Sequence, residues 1–206
     1  MLFWFGIFLL AAGLASFAVD RRATHFFHDH IHVRLHRRIA RTTDWAKGAY
    51  WLALSASVFV VSQSAIWLWG ATPMLELWAQ TSLAYLASLA IGSAILHSIK
   101  IILGRRRPKD ELELSLFGFR PIHFDPQYDS FPSGHALTIF CVAVIASAVL
   151  PALAPLWFAI ALYLALTRAF LNAHFLSDVF IGSAIGLLTA RETVFYLFPA
   201  LFQPWF

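Results

Sequence analysis

Six long apolar runs, separated by shorter polar breaks, organise the chain: Leu2 to Val19, Trp45 to Trp69, Leu77 to Leu103, Ser133 to Leu150, Leu153 to Leu171 and Phe175 to Phe198. Each predicts a helix of a length suited to a hydrocarbon core of about 30 Å. The fourth and fifth are short and joined only by Pro151 to Ala152, which predicts a tight helical hairpin. The first run lacks the basic residues that open a secretory signal and is read as an anchor, with Ser16-Phe17-Ala18 its only cleavage-like stretch. The predicted fold class is all-α: a polytopic membrane protein, a six-transmembrane helix bundle built as a single domain over residues 1–206. A short interfacial helix is expected after the first span.

Composition agrees with this reading. Hydrophobic residues make up 60% and charged residues 13% of the chain, and the mean hydropathy is +0.70, which excludes water as the main solvent. The single cysteine, Cys141, lies inside an apolar run, so no disulfide framework exists. Charge is distributed unevenly. With six crossings, every Lys and Arg except Arg191 falls on one side, and by the positive-inside tendency that side faces the cytoplasm.

The polar segment Asp20 to Thr43 is rich in Arg and carries His25, His28, His30, His32 and His36. Its spacing matches no standard metal-ligand pattern, and it is read as a basic stretch on anionic headgroups, with Trp45, Tyr50 and Trp51 at the interface. Ser55, Ser57, Ser62, Gln63 and Ser64 suit hydrogen bonding between helices. Gly182 and Gly186 form a small-xxx-small face for close helix packing.

Candidate chemistry gathers at the ends of spans three to six. Lys100 and Arg107 are seven residues apart, which puts them on one side of a continuous helix, and Pro108 marks its end; His97 lies one turn before Lys100, facing the same cavity or bonding within the bundle. The long segment Gly104 to Pro132 is read as a cover over the site. Its acids, Asp110, Glu111, Glu113, Asp125 and Asp129, are read as solvated counter-charges, and Phe117, Phe119, Phe124 and Tyr128 as leaning into lipid. Ser130-Phe131-Pro132-Ser133-Gly134-His135 runs into a helix: proline in its first turn, serine as cap and bare glycine N–H groups make an anion cradle, with His135 placed to donate a proton. Arg168 offers a planar fork to an oxyanion. His174 and Asp178, four apart, share a helix face, so that the carboxylate can hold one imidazole nitrogen as N–H and leave the other free to attack.

Lys100-x6-Arg107-Pro108, Pro132-Ser133-Gly134-His135 and Thr167-Arg168-x5-His174-x3-Asp178 together resemble the three-part signature of the type 2 phosphatidic acid phosphatase superfamily, with Thr167 in place of the usual serine. The resemblance implies that His174 attacks phosphorus to form a phosphohistidine, that Asp178 orients it and that His135 protonates the leaving group. Lys100, Arg107, Arg168, Ser133 and the Gly134 N–H would bind the phosphate. It implies no metal and no other cofactor, and no nucleic acid partner. The partners are the bilayer and a lipid phosphate monoester or pyrophosphate: phosphatidic acid, phosphatidylglycerophosphate, undecaprenyl pyrophosphate or the 1-phosphate of lipid A. Alternatives are a metal hydrolase using His135, His174 and Asp178, a lipid phosphotransferase with the same histidine, and a non-catalytic lipid-binding protein. Bacterial membrane relatives place this face in the periplasm of the inner membrane, against the cytoplasmic side that the Lys and Arg distribution favours.

Overall fold

The computed structural model describes residues 1–122 and 125–206. Among the described residues nine α-helices order the chain: α1 (Leu2–Ser16), α2 (Asp20–His30), α3 (Val33–Thr42), α4 (Gly48–Trp69), α5 (Pro73–Leu103), α6 (Pro108–Leu114), α7 (Gly134–Val149), α8 (Ala154–Phe170) and α9 (Leu176–Leu197). No strand is formed among the described residues. The six apolar runs became α1, α4, α5, α7, α8 and α9. Helix α5 starts before its predicted run because Pro73 opens it and the Thr72 side chain accepts from Leu75 N at 3.3 Å. The hairpin after α7 is a single 3-10 turn, Pro151–Leu153.

By length and composition, the stretches Val33–Trp69, Pro73–Leu103, Pro151–Phe170 and Leu176–Leu197 are each able to cross a membrane. Helices α1 and α2 meet that test only as a pair bent by 85°, and α7, apolar but only 16 residues long, does not meet it. The chain is therefore an integral membrane protein with four such stretches, five with the bent pair.

Helix α9 is the centre of the bundle and packs on α1, α5, α7 and α8. Over its membrane-length window 56% of residues are buried, against 11% for the stretch ending in α4, so α4 turns mostly outward. Glycines create this arrangement. A Cβ on Gly182 would lie 2.4 Å from Ser133 O, and one on Gly186 2.3 Å from Leu137 O. The small-xxx-small face thus has α7 as its partner, and it brings the start of α7 onto the first turns of α9. Cys141, fully buried, donates to Gly186 O at 3.3 Å along the same seam.

Chain direction alternates through the bundle. At one end the N-terminal amine donates to Trp205 O at 2.8 Å, Arg191 Nε to Phe206 O at 3.0 Å, and Gln203 Nε2 to Ala148 O at 3.1 Å. The ends of α1, α5 and α8 and the starts of α4, α7 and α9 meet at the other.

Two expectations need correction. Two helices, α2 and α3, occupy the segment after α1, and its first residue, Asp20, is completely buried. The stretch between α5 and α7 is pinned to the end of α5 by Arg105 N to Tyr128 O at 2.7 Å, Arg120 N to Gly104 O at 2.9 Å and Ser130 N to Arg105 O at 3.0 Å. Its aromatic and acidic residues are not simply solvated or lipid-facing. Phe117 and Phe119 stand around the Arg105 guanidinium, Tyr128 accepts from Arg106 at 2.7 Å, and the buried Glu111 accepts from Arg21 at 2.7 Å. Phe124 lies outside the described residues. Of the two roles left open for His97, the structure shows a bond inside the bundle, to Ser93 O of its own helix at 2.8 Å.

Gly186→Ala should cost about 1–3 kcal/mol of stability, because the added methyl meets the rigid backbone of α7. Gly6→Ala, whose methyl meets side-chain atoms of Leu188 and Leu187 and no backbone, should cost less. Thermal unfolding of the two variants in detergent checks the order, and equal midpoints would contradict it.

Candidate active site

The turn between α8 and α9 is set by its own backbone. Asn172 adopts a left-handed conformation at φ 51°, and the N–H groups of Ala173 and His174 both donate to Arg168 O, at 3.0 and 3.1 Å. His174 is thereby held beside Arg168. It precedes α9 and does not share a helix face with Asp178, since Phe175 is the N-cap and the Asp178 carboxylate caps the helix by accepting from Phe175 N at 2.9 Å.

The imidazole is consequently steered differently from the expected direct pair. His174 Nδ1 lies 3.7 Å from Asp178 Oδ2, too far for a hydrogen bond. It lies 2.7 Å from Ser130 O instead. A carbonyl oxygen accepts and cannot donate, so Nδ1 carries the proton of the neutral ring and Nε2 keeps its lone pair. Asp178 acts on this bond at one remove: Ser130 Oγ donates to Asp178 Oδ2 at 2.6 Å, and Ser133 N donates to the Asp178 carbonyl at 2.9 Å. Burial pushes the His174 pKa below its usual imidazole value, and Asp178 opposes that shift.

Behind Asp178 stands a group that sequence reading passed over. The Arg105 guanidinium, with no exposed surface, donates through Nη1 to Asp178 Oδ1 at 2.6 Å and to Ser177 Oγ at 2.7 Å, and through Nη2 to Asp20 Oδ2 at 2.8 Å. Asp20 in turn accepts from Ser177 N at 3.0 Å and from the Ser177 hydroxyl. The guanidinium carbon sits 4.0 Å from the ring centre of Phe175 and 5.0 to 5.2 Å from those of Phe17, Phe119 and Phe117. In the run Arg105-Arg106-Arg107 nothing marks the first as the buried one.

The expected phosphate ligands surround the other side of His174. Helix α5 ends at Leu103, and Gly104 at φ 39° turns the chain, so Lys100 and Arg107 do not lie along one helix. They still converge on one residue: Lys100 Nζ donates to the Asp129 carbonyl, while Arg107 Nη2 and Nε reach Asp129 Oδ1 at 2.6 and 2.9 Å. Asp129 is thus a specific partner of both, and not a diffuse counter-charge. Arg168 Nη1 contacts Thr43 Oγ1 at 3.4 Å, and its Nε is buried without a partner. Thr167 also donates to Thr43 Oγ1, at 2.9 Å. Ser133 occupies the N-cap position of α7, with Pro132 before the helix, but its hydroxyl makes no capping bond and is buried and unpartnered. Open space flanks Gly134. His135, the second residue of α7, interacts electrostatically with Arg168, His174, Lys47 and Asp44, and Arg168 with Arg107. Every predicted site residue therefore falls into one cluster. Among the described residues no three His, Cys, Asp or Glu side chains group as metal ligands.

This constellation has a family. The sequence pattern of the PAP2 superfamily matches residues 81–201. The chain belongs to the PAP2 superfamily. Lipid A 1-phosphatases of Rhizobium etli and Rhizobium johnstonii are each 34% identical to it over 112 residues, covering 52% of this chain and 48% and 46% of theirs. The chain spans about half the length of the curated relatives it matches. Two solved structures share the fold. Aquifex aeolicus LpxE superposes with a TM-score of 0.63 at 17% identity, over 86% of this chain and 96% of its own. The PAP2-type phosphatidylglycerolphosphate phosphatase of Bacillus subtilis superposes with a TM-score of 0.61 at 20% identity, over 95% and 93%. The PAP2 match begins within α5, so Asp20 and Thr43 come from outside it.

The carbonyl partner fixes an outcome for nitrogen NMR of histidine-labelled protein. At neutral pH the His174 signal should show the Nδ1–H tautomer and remain neutral to a lower pH than a free imidazole. A dominant Nε2–H form would contradict the assigned hydrogen bond.

Proposed function

We propose that this protein is a membrane lipid phosphatase that hydrolyses a phosphate ester or pyrophosphate through a phosphohistidine at His174. The observation that carries the reading is the His174 Nδ1 to Ser130 carbonyl bond at 2.7 Å, which leaves Nε2 unprotonated in a cluster containing Lys100, Arg107 and Arg168. Nε2 attacks phosphorus, the bond from phosphorus to the lipid oxygen breaks, and His135 supplies the proton to that oxygen. Water then attacks the phosphohistidine, passes a proton back to His135, and inorganic phosphate departs.

The non-bridging oxygens would be held by Lys100, Arg107 and Arg168, by the Ser133 hydroxyl, buried without a partner, and by the Gly134 N–H at the start of α7. Those cations supply the charge neutralisation for which other phosphatases use metal ions, so the proposed reaction is metal-independent. The whole of residues 1–206 acts as one domain in this reading. The six apolar helices with alternating direction support a six-span bundle, in which α7 crosses at a thinned or tilted position, α2 and α3 lie at the interface and the segment between α5 and α7 covers the site.

Lipid A 1-phosphate comes first among the candidate substrates because two relatives 34% identical over 112 residues are lipid A 1-phosphatases. The site lies at the mouth of the bundle, where a phosphate can enter while its acyl chains stay in the bilayer. Family resemblance supports a bacterial inner-membrane location with the site on the periplasmic face, while the Lys and Arg residues, all but Arg191 at the site end of a six-span bundle, favour the cytoplasmic face.

Phosphate release by purified protein from lipid A, phosphatidic acid, phosphatidylglycerophosphate and undecaprenyl pyrophosphate, each tested with chelator and with vanadate, examines this directly. Activity should survive chelator, fall with vanadate, and drop at least about 10³-fold in His174→Ala. It should also fall as pH drops through the His174 pKa, below the usual imidazole range, because protonation removes the attacking lone pair. Full activity in His174→Ala, or loss with chelator alone, would overturn the mechanism.

A further inference from the structure

We propose that Arg105 and Asp20 are positioning residues for His174, acting through Asp178 and Ser130, so that the segment following α1 is a functional part of the catalytic site. The inference rests on the phosphatase reading above and extends it to two residues that touch no substrate.

The argument starts from the cost of burial. Asp178, Arg105 and Asp20 have no exposed surface, and an unpaired charge there would cost several kcal/mol. Arg105 settles this by dividing its fork, Nη1 to Asp178 and Nη2 to Asp20. Each carboxylate is pinned again from the backbone, Asp178 by Phe175 N and Asp20 by Ser177 N. Ser177 Oγ, accepting from Arg105 and donating to Asp20, closes the loop. Arg105 also fixes Ser130 directly, because the Ser130 N–H donates to the Arg105 carbonyl at 3.0 Å. Ser130 is therefore held at its N–H by Arg105 and at its hydroxyl by Asp178, and its carbonyl holds His174 Nδ1. Displacing Arg105 moves both the group that sets the tautomer and the acid behind it.

Purely structural ion pairs share burial and hydrogen bonding with this one. What separates them is charge. The groups facing His174 are Asp178 on α9, Arg168 on α8, Lys100 on α5 and His135 on α7, with the Ser130 carbonyl between α5 and α7. Asp20 and Arg105 set how much of the Asp178 charge remains available to the imidazole. Removing Asp20 leaves Arg105 to Asp178 alone, so the imidazolium is less favoured. Removing Arg105 leaves Asp178 uncompensated, so the imidazolium is more favoured.

Asp20→Asn keeps shape and acceptor while deleting one charge, and Arg105→Gln deletes the opposite one. In full-length protein, the acid limb of kcat/KM for phosphate release should move to lower pH in Asp20→Asn and to higher pH in Arg105→Gln. In both, kcat should fall on the order of tenfold while KM changes little. Arg105→Lys, whose ammonium keeps the charge but lacks a fork spanning both acids, should lose kcat with the limb near its wild-type place. If Arg105→Gln does not fold, Asp20→Asn carries the test alone. An unmoved limb in Asp20→Asn, or a loss of activity that merely tracks the loss of folded protein, would overturn the inference while leaving the phosphatase reading intact. Wild-type protein that releases no phosphate from any of the four lipids would remove that reading, and this role with it.

Discussion

Asp178 is a carboxylate with no exposed surface, and the bundle's polar end is arranged around satisfying it. Three chain segments answer: Arg105 after α5, Ser130 before α7 and Phe175 at the start of α9 all donate to the carboxylate, and the Ser133 N–H at the cap of α7 donates to the backbone carbonyl of Asp178. A buried charge with fewer partners would be expensive enough to unfold a protein of ordinary stability. The segments that carry the site motifs are thus drawn together by a demand for hydrogen bonds, with apolar packing supplying the frame. His174 inherits its geometry from this arrangement, because the Ser130 carbonyl that holds its ring Nδ1 is fixed by the same set of contacts.

The glycine seam between α7 and α9 is the apolar counterpart. Gly182 lies against the Ser133 backbone, one turn after Asp178, so the seam of close helix approach is also where the start of α7 meets the carboxylate. Close packing there serves position as much as stability. The opposite end of the bundle is closed by the chain termini and Arg191 and carries no such cluster among the described residues. That asymmetry, with polar work at one end and closure at the other, suits a protein whose substrate would arrive at a single membrane surface.

The apolar pattern was a reliable guide to the helices. A run with no charge in it has few ways to satisfy its backbone in lipid other than a helix, so α1, α4, α5, α7, α8 and α9 were each legible within a few residues. The cluster of Lys100, Arg107, Ser133, Gly134, His135, Arg168, His174 and Asp178 was legible too, since alternating helices bring their ends to a common face. Spacing within a motif was less informative. It suggested helix faces for Lys100 with Arg107 and for His174 with Asp178, and both failed because Gly104 and the Phe175 cap end the helices between them.

The sequence by itself determined which apolar segments are helices, how their directions alternate and which side chains gather at one end, because these follow from local hydropathy and the thickness of a bilayer. Tertiary structure alone decided which charge is buried, and with what. Asp20 and Arg105 look like ordinary members of a charged stretch, yet they are 85 residues apart and share one hydrogen bond with no exposed surface on either side chain. Pairing over that distance depends on how α1 and α5 pack against α9, and the energy of a buried ion pair is fixed by its surroundings in three dimensions rather than by its neighbours along the chain.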